Sequence, residues 1–145
     1  MADASMRLEG ASDLERKLKR LEAKVAKKIV RRAVRDGAKV IMAETKARCP
    51  VDTGRLKRSF AIRASKGKRS FFGVAVFPSV KKEPDLVSHS KDGTRQYYPA
   101  VVEYGTSRRA ARPFMRPAFD ATKYKAAQKT IDVMNREIQA EARKR

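Results

Sequence analysis

The sequence predicts an α+β fold in which a small antiparallel sheet of three to four strands is flanked by a long N-terminal helix and a C-terminal helix. Three observations carry that expectation. Apolar residues recur at steps of three and four near both ends of the chain, they alternate in the middle, and Pro50 and Pro113 mark the changes of period. A length of 145 residues suits a single domain spanning 1–145.

The first helix is expected over 12–48. Ser12-Asp13-Leu14-Glu15 has the form of a capping box, in which the Ser12 hydroxyl accepts from the Glu15 amide and the Glu15 carboxylate reaches back. Leu14, Leu18, Leu21, Val25, Ile29, Ala33 or Val34, Ala38 and Ile41 then form one stripe. Cys49-Pro50 ends it, because proline disfavours helical angles in the residue before it. Unbroken, such a helix is about 50 Å long, with Gly37 as its expected bend.

Its other faces are strongly basic. Lys24, Lys27, Lys28, Arg31, Arg32 and Arg35 stand among few acids, so pairing along the helix cannot neutralise them. The whole chain has 36 Lys and Arg against 16 Asp and Glu, a formal charge of +20. An excess of that size is self-repelling unless a counter-charge lies nearby, so these six residues are expected to face DNA or an acidic partner.

Strands are expected at 59–64, 71–77 and 97–104. Phe60 and Ile62 alternate with Ala61 and Arg63, and Phe72, Val74 and Val76 share a face. Ser65-Lys66-Gly67-Lys68 supplies a hairpin connection, which makes the first two strands antiparallel neighbours. The polar stretch 79–96 reads as a projecting loop. The last helix is expected over 114–143, with Pro117 in its first turn and Phe119, Ala126 or Ala127, Thr130, Val133 or Met134, Ile138 and Ala142 on one face.

Several functional classes are excluded or made improbable by residue supply. With Cys49 as the only cysteine and His89 as the only histidine, neither an intrachain disulfide nor a Cys/His zinc site can form, and no metal or cofactor is implied. Cys49 reads as a buried thiol at a helix end. Met1 to Gly10 lacks the apolar core of a signal peptide, and no run of about 18 apolar residues suggests a membrane span, so the chain is expected to be made in the cytosol.

Asp52-Thr53-Gly54 is the catalytic triplet of aspartic proteases, but those carboxylates need a dry, strand-borne dyad. Here the triplet follows a Lys-rich helix and precedes Arg55, Lys57 and Arg58. A tight turn capped by Asp52, with Gly54 supplying permissive angles, is the better reading, and no catalytic residue is expected. Glu103-Tyr104-Gly105-Thr106 reads as a strand end, with Glu103 in an ion pair to an arginine and Thr106 capping the next segment. Pro113-Phe114-Met115-Arg116-Pro117 suits either the locking of a helix onto the sheet or the filling of a partner's pocket.

Taken together, the long basic helix, Cys49-Pro50-Val51-Asp52-Thr53-Gly54-Arg55-Leu56, Tyr98-Pro99-Ala100-Val101-Val102-Glu103-Tyr104-Gly105-Thr106 and Ala111-Arg112-Pro113-Phe114-Met115-Arg116-Pro117-Ala118 resemble the gene-product-ten family of tail components of long-tailed double-stranded-DNA phages. The resemblance runs from about Ser12 into the last helix. It implies a non-enzymatic virion protein at the head-tail junction: a tail-completion or neck subunit in a homo-oligomeric ring of six that joins or caps the tail tube and lets DNA pass. Its implied partners are copies of itself, the tail-terminator and head-closure or connector proteins, and packaged duplex DNA held by non-specific contacts. No membrane is involved. The rival readings are a free, non-specific architectural DNA-binding protein and the tail-terminator ring subunit itself.

Overall fold

The computed structural model describes residues 10–65 and 72–144. Lys66-Gly67-Lys68 of the expected hairpin connection, Phe71 at the start of the second expected strand, and most of the N-terminal segment lie outside the described residues. The helices are α1 (Ala11–Lys19), α2 (Ala23–Arg48), α3 (Arg55–Ser59), α4 (Tyr98–Tyr104) and α5 (Met115–Arg143); the strands are β1 (Phe60–Ala64), β2 (Val74–Pro78), β3 (Val87–His89) and β4 (Arg95–Tyr97). The class is α+β, with antiparallel strands between a long N-terminal and a C-terminal helix. The strands form two separate two-stranded sheets, β1-β2 and β3-β4.

An antiparallel pair, α2 and α5, forms the frame. Ile29 belongs to the same buried cluster as Ile138, Arg32 reaches Glu137, and Gly37 faces Ala126 and Thr130. The seam uses small side chains: Ala33 and Ala118 are wholly buried, with Ala38 and Ala126 nearly so. A Cβ on Gly37 would collide with Thr130 Oγ1 and lie 2.8 Å from the Ala126 carbonyl, so glycine here permits close helix approach. α2 runs through Gly37 without a break in its helical assignment, to Arg48. Thr122 and Thr130 return their hydroxyls to the carbonyls of Ala118 and Ala126, at 2.6 and 2.9 Å, which keeps both polar groups satisfied.

At one end of this frame the expected single helix is in fact two. The chain breaks at Arg20–Glu22, and α1 folds against α5 so that Leu14, Leu18, Leu21 and Val25 join Ile29, Ile131, Met134 and Ile138. No glycine or proline causes the break. Burial of α1's own apolar stripe does, since Leu14 falls to 5% exposure there. The capping box does not form either: the N-cap is Gly10, without a side-chain hydrogen bond, while Glu15 pairs with Lys19 at 2.8 Å and Asp13 with Lys17 at 2.6 Å.

At the other end lies a second core of Cys49, Leu56, Phe60, Leu86, Val102 and Phe114. Phe60 and Phe114 meet edge to face with centroids 6.1 Å apart. β1 and β2 pair antiparallel as expected, with Ile62 opposite Val76. Two other expectations fail. Residues 98–104 form α4, not a strand, with Pro99 in the first turn, where its missing amide proton costs nothing. The stretch 79–96 is not an irregular loop: it holds a 3-10 turn at Pro84–Leu86, which sends Leu86 into the core, and the β3-β4 hairpin.

The hairpin tip is the part that does project. There Asp92 accepts from the Ser90 hydroxyl and, at 3.0 Å, from the Thr94 amide. These donors, the hydroxyl first, pull its carboxyl down to about 2.

Candidate functional site

Three segments singled out in the sequence converge on the sheet-end core. Cys49 and Leu56 come from the first, Tyr98 and Val102 from the second, Phe114 and Met115 from the third. Their polar residues make a single joint. α5 has no acidic residue in its first turn and no side-chain cap of its own. The Glu103 carboxylate, from the last turn of α4, accepts the amides of Phe114, Met115 and Arg116 at 2.8, 3.0 and 3.1 Å. Pro117 has no amide to satisfy, and the Ala118 amide bonds to the Phe114 carbonyl at 3.2 Å. Glu103 therefore caps a helix distant in sequence, with its charge at the positive end of the helix dipole. Among the described residues these amides, and no arginine side chain within ion-pair distance, are its partners; an arginine of a neighbouring subunit is the other partner expected for it. Burial raises its pKa, but the three N–H donors and the Arg116 charge outweigh that, and the net shift is downward.

Gly105 and Thr106 hold the link between α4 and α5. Gly105 is left-handed with φ 73°, and a Cβ there would lie 2.7 Å from the Ala111 amide. The Thr106 hydroxyl accepts from the amides of Arg108 and Arg109 at 3.3 and 3.1 Å, the capping role expected of it. Tyr104, between them, is 76% exposed.

Asp52, Thr53 and Gly54 stand on a bend between α2 and α3, with Gly54 left-handed as expected. Asp52 does not cap: α3 begins at Gly54 without a side-chain hydrogen bond, and Asp52 is exposed. It lines a hollow of about 440 Å³ together with Arg109 and Arg112, a cationic setting unlike the dry dyad of a protease. Cys49 ends α2 as a buried thiol; burial pushes its pKa up against the opposing charge of Lys57.

The six basic residues expected at a polyanion are all exposed on α2. At about 100° per residue, Lys24, Lys28, Arg31, Arg35 and Lys39 share one sector of roughly 80°, some 22 Å long. Arg32 lies at one edge of the sector, where it pairs with Glu137 at 2.9 Å, and Lys27 lies beyond the other. Lys39 bonds to Asp36 at 2.7 Å and Arg31 stacks over Phe72 at 5.3 Å. Among the described residues, no carboxylate comes within ion-pair distance of Lys24, Lys27, Lys28, Arg31 or Arg35. Glu44, farther along α2, is taken by Arg48 at 2.7 Å.

Compared with known families, the chain matches the one described as "Bacteriophage HK97-gp10, putative tail-component" over residues 12–105, well over half its length. The chain belongs to this family. The match to HK97-gp10 ends at Gly105, so the Pro113–Pro117 segment and α5 lie beyond it, although Glu103 ties them to the matched part by three hydrogen bonds. No curated relative and no solved structure matches the chain. HK97-gp10 is a family of phage structural components, which puts this member in the virion as part of the tail. Among the described residues, no helix is long and apolar enough to cross a membrane.

Sequence reasoning missed the partnership between Glu103 and α5. The signal was there as an absence: α5 opens on Phe-Met-Arg-Pro with no acid or hydroxyl of its own to cap it. It also placed Phe119 on the buried face of α5, whereas Ala118 and Thr122 are buried and Phe119 is half-exposed.

Proposed function

We propose that this tail component works at the head-tail junction, as a tail-completion or neck subunit whose copies form a ring, of six subunits, that joins or caps the tail tube while DNA passes through. The observation that carries the reading is the cationic sector of α2, in which Lys24, Lys28, Arg31 and Arg35 have no acidic partner among the described residues, on a member of a phage tail family. A duplex moving through a ring needs phosphates attracted without bases being read, and a row of Lys and Arg along one helix does that. The contact is loose by construction, because distributed cations give no fixed register. Neighbouring tail-terminator and head-closure proteins would meet the two rims, and the α2 sector of each subunit would face the lumen.

Deleting the gene in the phage tests this reading. The expected result is heads and tails that accumulate unjoined; infectious, joined particles from the deletion overturn it. Charge reversal at Lys24, Lys28 and Arg35 is a second test. It should leave the fold unchanged, since none of the three is paired with an acid among the described residues, and should lower the logarithmic salt slope of duplex binding by about 0.9 for each phosphate that the chain no longer neutralises. A free architectural DNA-binding protein would instead bind duplex tightly as an isolated monomer. Tight binding by the monomer, combined with normal particles from the deletion, favours that rival.

A further inference from the structure

We propose that the largely apolar trough crossed by Phe119 and bordered by Tyr104 is the face through which one copy of this chain packs against the next. The inference rests on the ring reading only in that copies associate; it assigns the surface they use. Four large hydrophobic side chains are prominently exposed among the described residues, Val51, Tyr104, Phe119 and Tyr124, and two of them stand here. Phe119 and Met115 form a shared wall between two hollows of about 420 and 500 Å³. The first runs between α2 and α5 under Val74 and Val76, the second between α4 and the end of β2. The surface thus presents a projecting aromatic beside cavities large enough to receive one. A ridge on one copy can fill a hollow on another.

Charge argues for a second copy as the occupant. A chain of formal charge +20 repels itself wherever cations meet, so self-association needs a surface where charge is sparse. The charged residues lining both hollows are Lys123, Glu103 and Arg116, and the Glu103 carboxylate is already occupied by the α5 amides. Val34 and Ile41, two of the α2 walls of the trough, lie about 100° and 120° around the helix from the centre of the cationic sector, on the side of Lys27. Copies joined here keep the sector of Lys24, Lys28, Arg31, Arg35 and Lys39 out of the contact and leave it open to DNA. An acidic protein, by contrast, would be drawn to the cationic sector and gain little from a trough where charge is sparse.

The experiment places a photo-crosslinking phenylalanine analogue at position 119 of the full chain, and at 124 as a control that lines neither hollow. Irradiation of assembled particles should give an adduct of twice the subunit mass from position 119, mapped to the α2, β2 or α4 walls of the trough, and several-fold less from 124. Adducts from 119 only with a different virion protein, equal self-adducts from both positions, or no adduct at all overturn the assignment. Phe119→Glu gives a second readout, because a half-exposed side chain can take a charge without loss of fold. Purified oligomer, or copies retained per particle, should fall at least tenfold while the circular dichroism spectrum stays unchanged. A Phe119→Glu chain that keeps its full assembly sinks this surface and leaves the ring standing. A wild-type particle holding a single copy sinks the ring itself.

Discussion

The two ends of the α2-α5 frame are stabilised in different ways. The α1 end joins three helices through Leu, Ile, Val and Met side chains, with its elements held by apolar contact. The sheet end gathers α2, α3, β1, the 3-10 turn, α4 and the start of α5 around two aromatic rings, and polar bonds fix those pieces in place. Besides the Glu103 joint, the Tyr97 hydroxyl donates to the Pro78 carbonyl at 2.7 Å and the Lys82 ammonium to the Phe60 carbonyl at 2.9 Å. Apolar stripes slide and re-pack at modest cost, whereas hydrogen bonds between distant segments specify one arrangement. The Asp52 hollow and the part of the trough between α4 and β2 lie at the sheet end, on the part of the molecule whose geometry is the more strictly specified.

The largest effect is expected at the aromatic core. Phe114→Ala removes a side chain at 1% exposure that bridges six elements, and should cost about 3–5 kcal/mol in urea unfolding. Ile138→Ala at the other end should cost about 2–3 kcal/mol, because an all-helical aliphatic cluster can partly close around the gap. Equal losses would break the contrast between the ends. Gly37→Ala tests the seam between them and should cost about 1–3 kcal/mol through overpacking. Adding Thr130→Ala should recover only part of that, since the Ala126 carbonyl still stands 2.8 Å from the new methyl. Full recovery would show that the backbones are not in close contact.

Glu103→Gln is expected to cost about 1–2 kcal/mol at neutral pH, because charged acceptors bond amides more strongly than neutral ones. It should also change the acid limb. The folded pKa of Glu103 lies below its unfolded value, so its contribution is complete above the ordinary carboxylate range and is lost as pH falls through the lower folded value. The Gln variant should therefore lose less stability than wild type as pH falls through and below the ordinary carboxylate range. An identical slope in the two chains argues against the cap. Leu14→Ala should act locally: α1 amides lose hydrogen-exchange protection while those of the middle of α5 keep theirs. The smallest change is Arg32→Ala, which breaks an exposed pair with Glu137 and should cost at most about 1 kcal/mol.

Legibility in the sequence followed the same division. The stripe from Leu14 to Ile41 and the one from Ala126 to Ile138 are periodic, and they mark most of the residues buried at the α1 end. Yet the same stripe concealed the break at 20–22, since a helix broken there keeps its apolar spacing. At the sheet end, β1 and β2 were readable from alternation, and Gly54 and Thr106 from turn chemistry. α4 was not: with Pro99 at one end and Val101-Val102 inside, seven residues fit either state, and burial of Val102 beside Phe114 decided for helix.

The sequence by itself determined the α+β class, the positions of both long helical regions, the excess of positive charge on α2 and, through its ordered motifs, membership of a phage tail family. These are properties of local spacing and composition, which survive whatever the chain packs against. Only the tertiary structure decided that the first helix breaks at 20–22, that Glu103 caps α5, that Gly37 sits at a close helix crossing, and that Phe119 stands in the open. Each of these depends on which distant segment supplies a buried surface or an acceptor. Local periodicity carries no record of that choice.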